Sequence, residues 1–287
     1  MTPKIIECPR DAMQGIKAFI PTEEKIDYIN ALLKVGFDTI DFGSFVSPKA
    51  IPQMADSGDV VDGLDLSLSN SKLLAIVANT QGAEDACEYE EISYLGFPFS
   101  VSETFQKRNT NSGMEEALKR VMQIQNMCLR KKKKLVVYMS MGFGNPYGDP
   151  YSLDILLGWV RRIMDLDVKI ISISDTIGIA NGDLVKTVFS RLVQSYPHIE
   201  FGAHLHTRPM QWKGVAEAAY LAGCRRFDGA LKGYGGCPMA EDKLTGNMPT
   251  EHLIGFLDER HKDAMKINTE ALKDAEELAN LLFVKYA

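Results

Sequence analysis

Two histidines two residues apart, His204-Leu205-His206, are the first feature of this chain equipped for chemistry. On an extended segment residues i and i+2 share one side, so both imidazoles can face a common point. Two unrelated loop histidines would give the same pattern, but the chain holds five histidines and two of them stand here. Two imidazoles do not complete a coordination shell. Asp11 is a hard third ligand if the fold brings it near, although by itself it serves equally well to cap a turn. Asn247 offers a neutral amide oxygen. One carboxylate, one amide oxygen and two imidazoles, with positions left open, suit a six-coordinate Mg²⁺ or Mn²⁺. Structural zinc wants a closed tetrahedron instead.

Other reactive types lie close to these in the chain. Arg10 adjoins Asp11. It is either that carboxylate's salt-bridge partner or a permanent charge able to meet an oxyanion such as an enolate. Asp41 and Asp175 each stand at the end of a β-rich run, where an aspartate is either a helix N-cap or an acid/base group. The segment Gly233-Tyr234-Gly235-Gly236-Cys237-Pro238 carries three glycines in four residues. Gly235 and Gly236 let backbone approach a ligand closely. No Lys-Ser/Thr follows them, so the phosphate-cradle reading is weak. Cys237 on such a loop is more exposed than a core thiol, which fits proton transfer, a redox role or no role at all.

The elements that must position these groups alternate. Short runs rich in Ile, Val and Phe occur at Lys4–Cys8, Phe37–Phe42, Lys72–Val77, Ile92–Phe97, Leu135–Ser140, Lys169–Ser174, Glu200–His204 and Arg226–Asp228. Such runs suit strands buried on both faces. Helical patterns fill the gaps. A helix capped by Thr22 and stopped by Gly36 is followed by Glu84–Glu90, Gly113–Arg130, Leu153–Asp165, Gly182–Ser195, Gln211–Ala222, Thr250–Leu257 and Asn268–Lys285. Strict β/α alternation implies parallel strands with right-handed crossovers. Eight units in one chain fit an α/β, (βα)8 TIM barrel with an extra C-terminal helix, a single domain over 1–287 with 258–287 as its helical extension. An open doubly wound sheet would carry a glycine fingerprint after its first strand, and Pro9–Gln14 has none. In a barrel the chemistry sits at the C-terminal ends of the strands, and Asp11, Asp41, Asp175 and His204 all fall there. The run Arg130-Lys131-Lys132-Lys133-Lys134 precedes strand five and is expected on the opposite face as a solvated surface.

Composition limits the partners. The 287 residues carry 32 Lys+Arg against 38 Asp+Glu, a net charge of −6. That balance disfavours nucleic acid and anionic membranes. No apolar run approaches the roughly 20 residues a spanning helix needs. The N-terminus shows no signal-peptide core, and the five cysteines lack CxxC spacing. A cytoplasmic, reducing location with Cys8, Cys87, Cys128 and Cys224 packed as small hydrophobes is expected.

Taken together, several segments resemble the 3-hydroxy-3-methylglutaryl-CoA (HMG-CoA) lyases. These are Glu7-Cys8-Pro9-Arg10-Asp11-Ala12-Met13-Gln14, Ser44-Phe45-Val46-Ser47-Pro48-Lys49 with Pro52-Gln53-Met54, Asn145-Pro146-Tyr147, Asp175-Thr176-Ile177-Gly178, His204-Leu205-His206, and Gly235-Gly236-Cys237-Pro238 with Gly246-Asn247. They occur in the family's order and cover most of the chain. The resemblance implies a divalent cation held by Asp11, His204, His206 and Asn247. It implies Arg10 at an enolate oxygen, Cys237 on a mobile loop, Asp175 and Asp41 near a reacting hydroxyl, and Gln14 and Ser172 in supporting contact. An acyl-CoA substrate and a homodimer follow from the same resemblance. Related aldolases, Claisen-type synthases acting on another acyl-CoA or 2-oxo acid, and a non-catalytic acyl-CoA-binding paralogue share parts of the pattern. The chain departs from the family at Ala12, where glycine is usual, at Asp41, where glutamate is usual, and at Thr207, where aspartate is usual. Arg208 and Pro209 replace a milder sequence, Met239 stands at an aromatic position, and the loop from Cys237 to Asn247 is one residue longer.

Overall fold

The computed structural model describes residues 2–67, 69–236, 245–261 and 265–286. Its strands are β1 (Lys4–Glu7), β2 (Thr39–Phe45), β3 (Lys72–Val77), β4 (Ile92–Ser100), β5 (Lys134–Ser140), β6 (Ile170–Asp175), β7 (Glu200–Leu205) and β8 (Arg226–Gly229). They pair in chain order, all parallel, and β8 pairs back onto β1, so the sheet closes. The expected (βα)8 barrel is the fold present. The helices are α1 (Pro9–Met13), α2 (Thr22–Val35), α3 (Ser57–Asp62), α4 (Thr80–Cys87), α5 (Glu103–Thr110), α6 (Met114–Arg130), α7 (Leu153–Met164), α8 (Gly182–Ser195), α9 (Trp212–Leu221), α10 (Thr250–His261) and α11 (Thr269–Tyr286).

The helices bury a single stripe. In α6 that stripe is Ala117, Val121, Ile124 and Cys128, spaced by three and four residues. The strands are buried on both sides, as in β6, where every residue from Ile170 to Asp175 is inaccessible. The C-terminal helix α11 lies against α2, where Phe283 meets Tyr28 edge-on with ring centroids 6.4 Å apart. Lys285 reaches Glu24 at 2.8 Å across the same contact. No helix of the described residues is long and apolar enough to cross a membrane. The thiols of Cys8, Cys87, Cys128 and Cys224 are buried and free, as expected.

Local chemistry explains where the elements depart from the expectations. Thr22 does not cap α2: Pro21 takes the N-cap position, and the Thr22 hydroxyl donates to Asp56 instead, at 2.8 Å. The helix expected at Glu84–Glu90 begins earlier because Asn79 accepts from the Gly82 amide at 2.8 Å. β2 runs on to Phe45 through a bulge between Asp41 and Gly43. α1, α3 and α5 are too short to show a period, and α5 is announced only by the Ser102 hydroxyl that caps it. The lysine run is not wholly solvated. Lys133 is 9% exposed, and its ammonium donates to the carbonyls of Tyr89 and Ile92 at 2.6 and 2.7 Å, tying α6's exit to the start of β4.

Glu7 ends β1 fully buried and accepts from the Leu231 amide at 2.9 Å and the Thr250 hydroxyl at 2.5 Å. It thereby holds the segment after β8 to the first strand. Burial pushes its carboxyl up to about 8. With the folded pKa above the unfolded one, the folded state keeps an extra proton between about pH 4.5 and 8. Stability from this group is therefore full at low pH and is lost as pH rises through that window. Glu7→Gln keeps the shape without the charge. Its melting temperature relative to the wild type should climb steadily from about pH 5 to pH 8, each unit of displacement being worth about 1.4 kcal/mol. A difference that stays flat with pH would show that Glu7 is not held protonated.

Candidate active site

β1 delivers the chain to Cys8, and Pro9 opens α1 at a position where its missing N–H is no loss. The single turn of α1 places Arg10, Asp11 and Gln14 together at the barrel mouth. Arg10 Nη1 donates to Asp11 Oδ1 at 2.9 Å and to Gln14 Oε1 at 3.0 Å. Gln14 Nε2 donates to the same Asp11 oxygen at 2.6 Å. The other side of the guanidinium is held by Asp41 Oδ2, at 3.1 Å from Nε and 2.5 Å from Nη2. Arg10 is thus a salt-bridge partner, bridged by two carboxylates, and it also lines the cavity above them.

Across the mouth, His204 is the last but one residue of β7 and His206 is the first beyond the strand. Their rings lie 5.2 Å apart, with the two Nε2 atoms at 3.2 Å. His206 Nε2 is 3.8 Å from Asp11 Oδ2. One ligand atom each from Asp11, His204 and His206 falls within a 4.8 Å group. Asn247 joins from the segment after β8, its Nδ2 donating to Asp11 Oδ2 at 2.8 Å and to the Tyr234 carbonyl at 2.9 Å. Its Oδ1 accepts nothing among the described residues. The donor set is one acid, two imidazoles and one amide, which fits a divalent cation with open positions.

The electrostatics favour such an ion. Burial works against ionisation of Asp11, but Arg10 and the two histidines outweigh it and hold the carboxyl down at about 2. Burial and the charge on His204 lower His206 to about 4, so it is neutral near pH 7. A metal needs deprotonated ligands, and these two are ready. His204 is pulled both ways: burial opposes its charged form, the Asp228 carboxylate beside Nδ1 favours it, and its pKa lies above the ordinary value.

Asp41 and Asp175 are not brought to this cluster as cavity-facing groups. Asp41 is fully buried behind Arg10, where burial lifts its carboxyl to about 6 against the pull of the guanidinium. Asp175 turns into its own loop, its oxygens accepting from the amides of Ile179 at 3.1 Å and Ala180 at 2.8 Å. It is not an N-cap either, since Asn181 caps α8. Ser172 sits below the mouth, 3.4 Å from Asp228 Oδ2. Gly235 presses its backbone onto α1 with φ +93°, and Gly236 follows with φ +141°. Cys237 lies outside the described residues.

Above the cluster is a cavity of about 400 Å³ with Arg10, Asp11, Gln14, His204 and His206 at its base. Its wall includes Val46, Ile51, Ile76 and Phe105, and its rim includes Arg108 and Asn111 of the α5 end. Three contributors escaped sequence reasoning. Tyr138 lines the cavity and meets the His204 ring edge-on at 5.5 Å. Asp228 contacts His204 Nδ1 at 3.1 Å. The α5 rim is placed by Asp149, which accepts from Ser102 and Thr104 at 2.5 to 2.9 Å. Asp228 had a usable signal, an aspartate at the C-terminal end of a barrel strand. Tyr138 is inside a strand and had none.

The HMGL-like family model matches residues 3–279. A hydroxymethylglutaryl-CoA lyase of Bacillus subtilis is 32% identical over 252 residues, covering 88% of this chain and 83% of that protein. A cytoplasmic 3-hydroxy-3-methylglutaryl-CoA lyase of Rattus norvegicus is 31% identical, covering 93% of this chain and 76% of its own. Among solved structures, an HMG-CoA lyase of Acinetobacter baumannii in complex with coenzyme A and 3-methylmalate superposes with a TM-score of 0.88. It is 31% identical, over 98% of this chain and 91% of that one.

The close approach at Gly235 generates a stability test. A Cβ there would stand 2.6 Å from Ala12 Cα, 2.7 Å from the Asp11 carbonyl oxygen and 2.9 Å from Asn247 Nδ2. Gly235→Ala should lose about 2 kcal/mol or more in denaturant unfolding, through both the clash and the positive φ. Gly255→Ala, in α10 with nothing within 4 Å of the added carbon, should be neutral or stabilising. Equal stability of the two variants would refute the packing assigned to Gly235.

Proposed function

Since the chain belongs to the HMGL-like family, we propose that it is a divalent-cation-dependent carbon–carbon lyase. Its substrate on this reading is 3-hydroxy-3-methylglutaryl-CoA or a close analogue, cleaved by retro-Claisen chemistry to acetyl-CoA and acetoacetate. The observation that carries the reading is the convergence of Asp11, His204 and His206 within 4.8 Å, beside the cavity-lining Arg10. Related aldolases and synthases of the barrel superfamily share the chemistry, and the family membership favours the lyase.

Asp11, His204, His206 and Asn247 would hold the cation, Mg²⁺ or Mn²⁺. When bound, it supplies Lewis acidity that lowers the cost of deprotonating a tertiary hydroxyl. The protein's own groups do the rest. The C–C electron pair becomes an enolate whose negative oxygen Arg10 is placed to meet, its guanidinium oriented by Asp41 on one side and Asp11 on the other. Gln14 holds both members of that pair. Asp41 and Asp175 act as positioning groups, Asp41 for Arg10 and Asp175 for the loop after β6. The acceptor of the hydroxyl proton lies among the groups that do line the cavity. Cys237, two residues beyond Gly235, returns a proton to the enolate carbon, and Ser172, Gly235 and Gly236 shape the floor and edge.

The departures from the family pattern at Asp41, Thr207 and Arg208 are compatible with a family-like substrate. Asp41 still reaches Arg10 despite its shorter side chain, and neither Thr207 nor Arg208 is among the described residues lining the cavity. The acting unit on this reading is one domain, 1–287 with 258–287 as its helical extension, cytoplasmic and homodimeric, with an acyl-CoA as partner and no role for nucleic acid or membrane.

The test is product formation. Reduced, Mg²⁺- or Mn²⁺-loaded protein with 3-hydroxy-3-methylglutaryl-CoA should release acetyl-CoA and acetoacetate in equal amounts, and chelator or His204→Ala should abolish both. Arg10→Lys should lower turnover about 10²- to 10³-fold, the usual range for removing a donor to a developing oxyanion. Bound metal with no product from this thioester would overturn the substrate, and wild-type metal affinity in His204→Ala would overturn the ligand set.

A further inference from the structure

The two mouth histidines are not equivalent. His206 has no carboxylate behind its ring; what its ring meets on that side is the backbone of Thr176. His204 is backed by Asp228, whose Oδ2 lies 3.1 Å from Nδ1. The contact is built into the sheet: in the β7–β8 pairing His204 stands opposite Asp228. Ser172 Oγ, one strand further round, donates to the same oxygen at 3.4 Å. Asp228 is 2% exposed, and its Oδ1 has no partner among the described residues.

A carboxylate in this place is costly. Interior positions of barrel strands are ordinarily filled by branched apolar side chains. An imperfectly paired buried acid destabilises unless something else requires it. Arg226, two residues earlier on β8 and so on the same side of the strand, is fully buried too. One of its nitrogens reaches Glu200 at 3.3 Å, while Nε and Nη2 have no partner among the described residues. The barrel axis therefore holds an arginine and an aspartate that packing does not demand.

We propose that Asp228 is the positioning residue of the site, accepting the Nδ1 proton of His204 and so presenting that ring's bare Nε2 to Asp11 and His206. A carboxylate is an acceptor only, so the ring nitrogen facing it must carry the hydrogen. In a neutral imidazole the lone pair is then on Nε2, 3.2 Å from its counterpart on His206. Arg226 balances the buried negative charge from below. The inference rests on the metal-dependent reading of this site, and it assigns to Asp228 the part that outer carboxylates play behind ligating imidazoles.

The test uses two variants and two readouts, neither involving a thioester. Protein labelled with ¹⁵N-histidine has five imidazoles to resolve, and His204→Gln assigns the signal in question. Without metal, and at a pH high enough for the ring to be neutral, His204 in the wild type should be a single Nδ1–H tautomer. Asp228→Ala should mix the tautomers and weaken Mn²⁺ binding about 10- to 100-fold by direct titration. Asp228→Asn, whose side-chain oxygen still accepts the Nδ1 proton, should keep the tautomer and most of the affinity. Circular dichroism checks the fold of each. Wild-type tautomer and affinity in Asp228→Ala would overturn the proposal, and so would an asparagine variant as impaired as alanine. A wild-type protein that binds Mn²⁺ but cleaves no 3-hydroxy-3-methylglutaryl-CoA would sink the substrate and leave this assignment standing.

Discussion

The carboxylate of Asp11 is the contact on which the mouth of the barrel depends. Arg10 and Gln14 hold one of its oxygens, and Asn247 and His206 approach the other. These partners come from α1, from the end of β7 and from the segment after β8, three places that meet only because the sheet closes between β8 and β1. A buried carboxylate with so many donors stays ionised, and an ionised acid between two imidazoles is an unfilled demand for positive charge. Arg10 meets part of that demand from one side. The rest faces the cavity, where a divalent ion and a substrate oxygen would share it. Ring closure, charge balance and chemistry are one arrangement seen at three scales.

Much of what looks like a chemical motif in the chain is bracing for that arrangement. Gln53 does not approach the cavity. Its amide accepts from the Ile20 amide at 2.9 Å and donates to the carbonyls of Ile16 and Ala18 at 3.2 and 2.8 Å, clamping the loop that leaves α1. Asn145 folds its own loop by accepting from the Tyr147 and Asp149 amides, and Asp149 then accepts from the Thr104 amide and the hydroxyl of Ser102, the residue that caps α5. Tyr234 stacks on Phe283 of α11 with centroids 4.1 Å apart, while its carbonyl holds Asn247. The C-terminal helix is in this way mechanically connected to a residue of the site. Loops that must place side chains within tenths of an ångström are over-determined by such clamps, since backbone propensity alone leaves them mobile.

The parts of the site legible in the sequence were those set by local rules. The one-turn helix opened by Pro9, which brings Arg10, Asp11 and Gln14 within mutual reach, is too short to show in the sequence, whereas alternation along a strand puts His204 and His206 on one side whatever surrounds them. Strand runs were legible for the same reason, with ends shifted by features such as the bulge at Asp41. Asp41 and Asp175 carried identical local signals, an aspartate at the exit of a buried strand. What separates them is non-local: a guanidinium arrives at Asp41 from α1, whereas the amides of Ile179 and Ala180 reach Asp175 first. Asp228 closes its strand run but has no partner at any regular spacing, since His204 lies 24 residues earlier and meets it only through parallel pairing. Residue type and spacing identify donors, and the register of the sheet decides who receives them.

That register also divides the barrel interior into two halves with different duties. The sector formed by β3 to β6 is filled by Leu74, Tyr94, Val136, Tyr138 and Ile170, an apolar cluster distinct from the larger core between strands and helices. The sector from β7 through β8 and β1 to β2 carries His204, Arg226, Asp228, Cys8 and Asp41. Burying that many polar groups is destabilising, and only part of the cost is recovered by their mutual contacts. The apolar half and the continuous outer core offset the remainder, which is why the polar sector can hold its atoms in a chemically useful geometry at the expense of the best possible packing. Tyr138 stands on the border between the two, its ring packed with the apolar cluster and its edge against His204. A barrel filled uniformly with branched side chains would be more stable and would have nowhere to keep a charge. Here the closed sheet tolerates the imbalance because every strand of both halves is paired on each side.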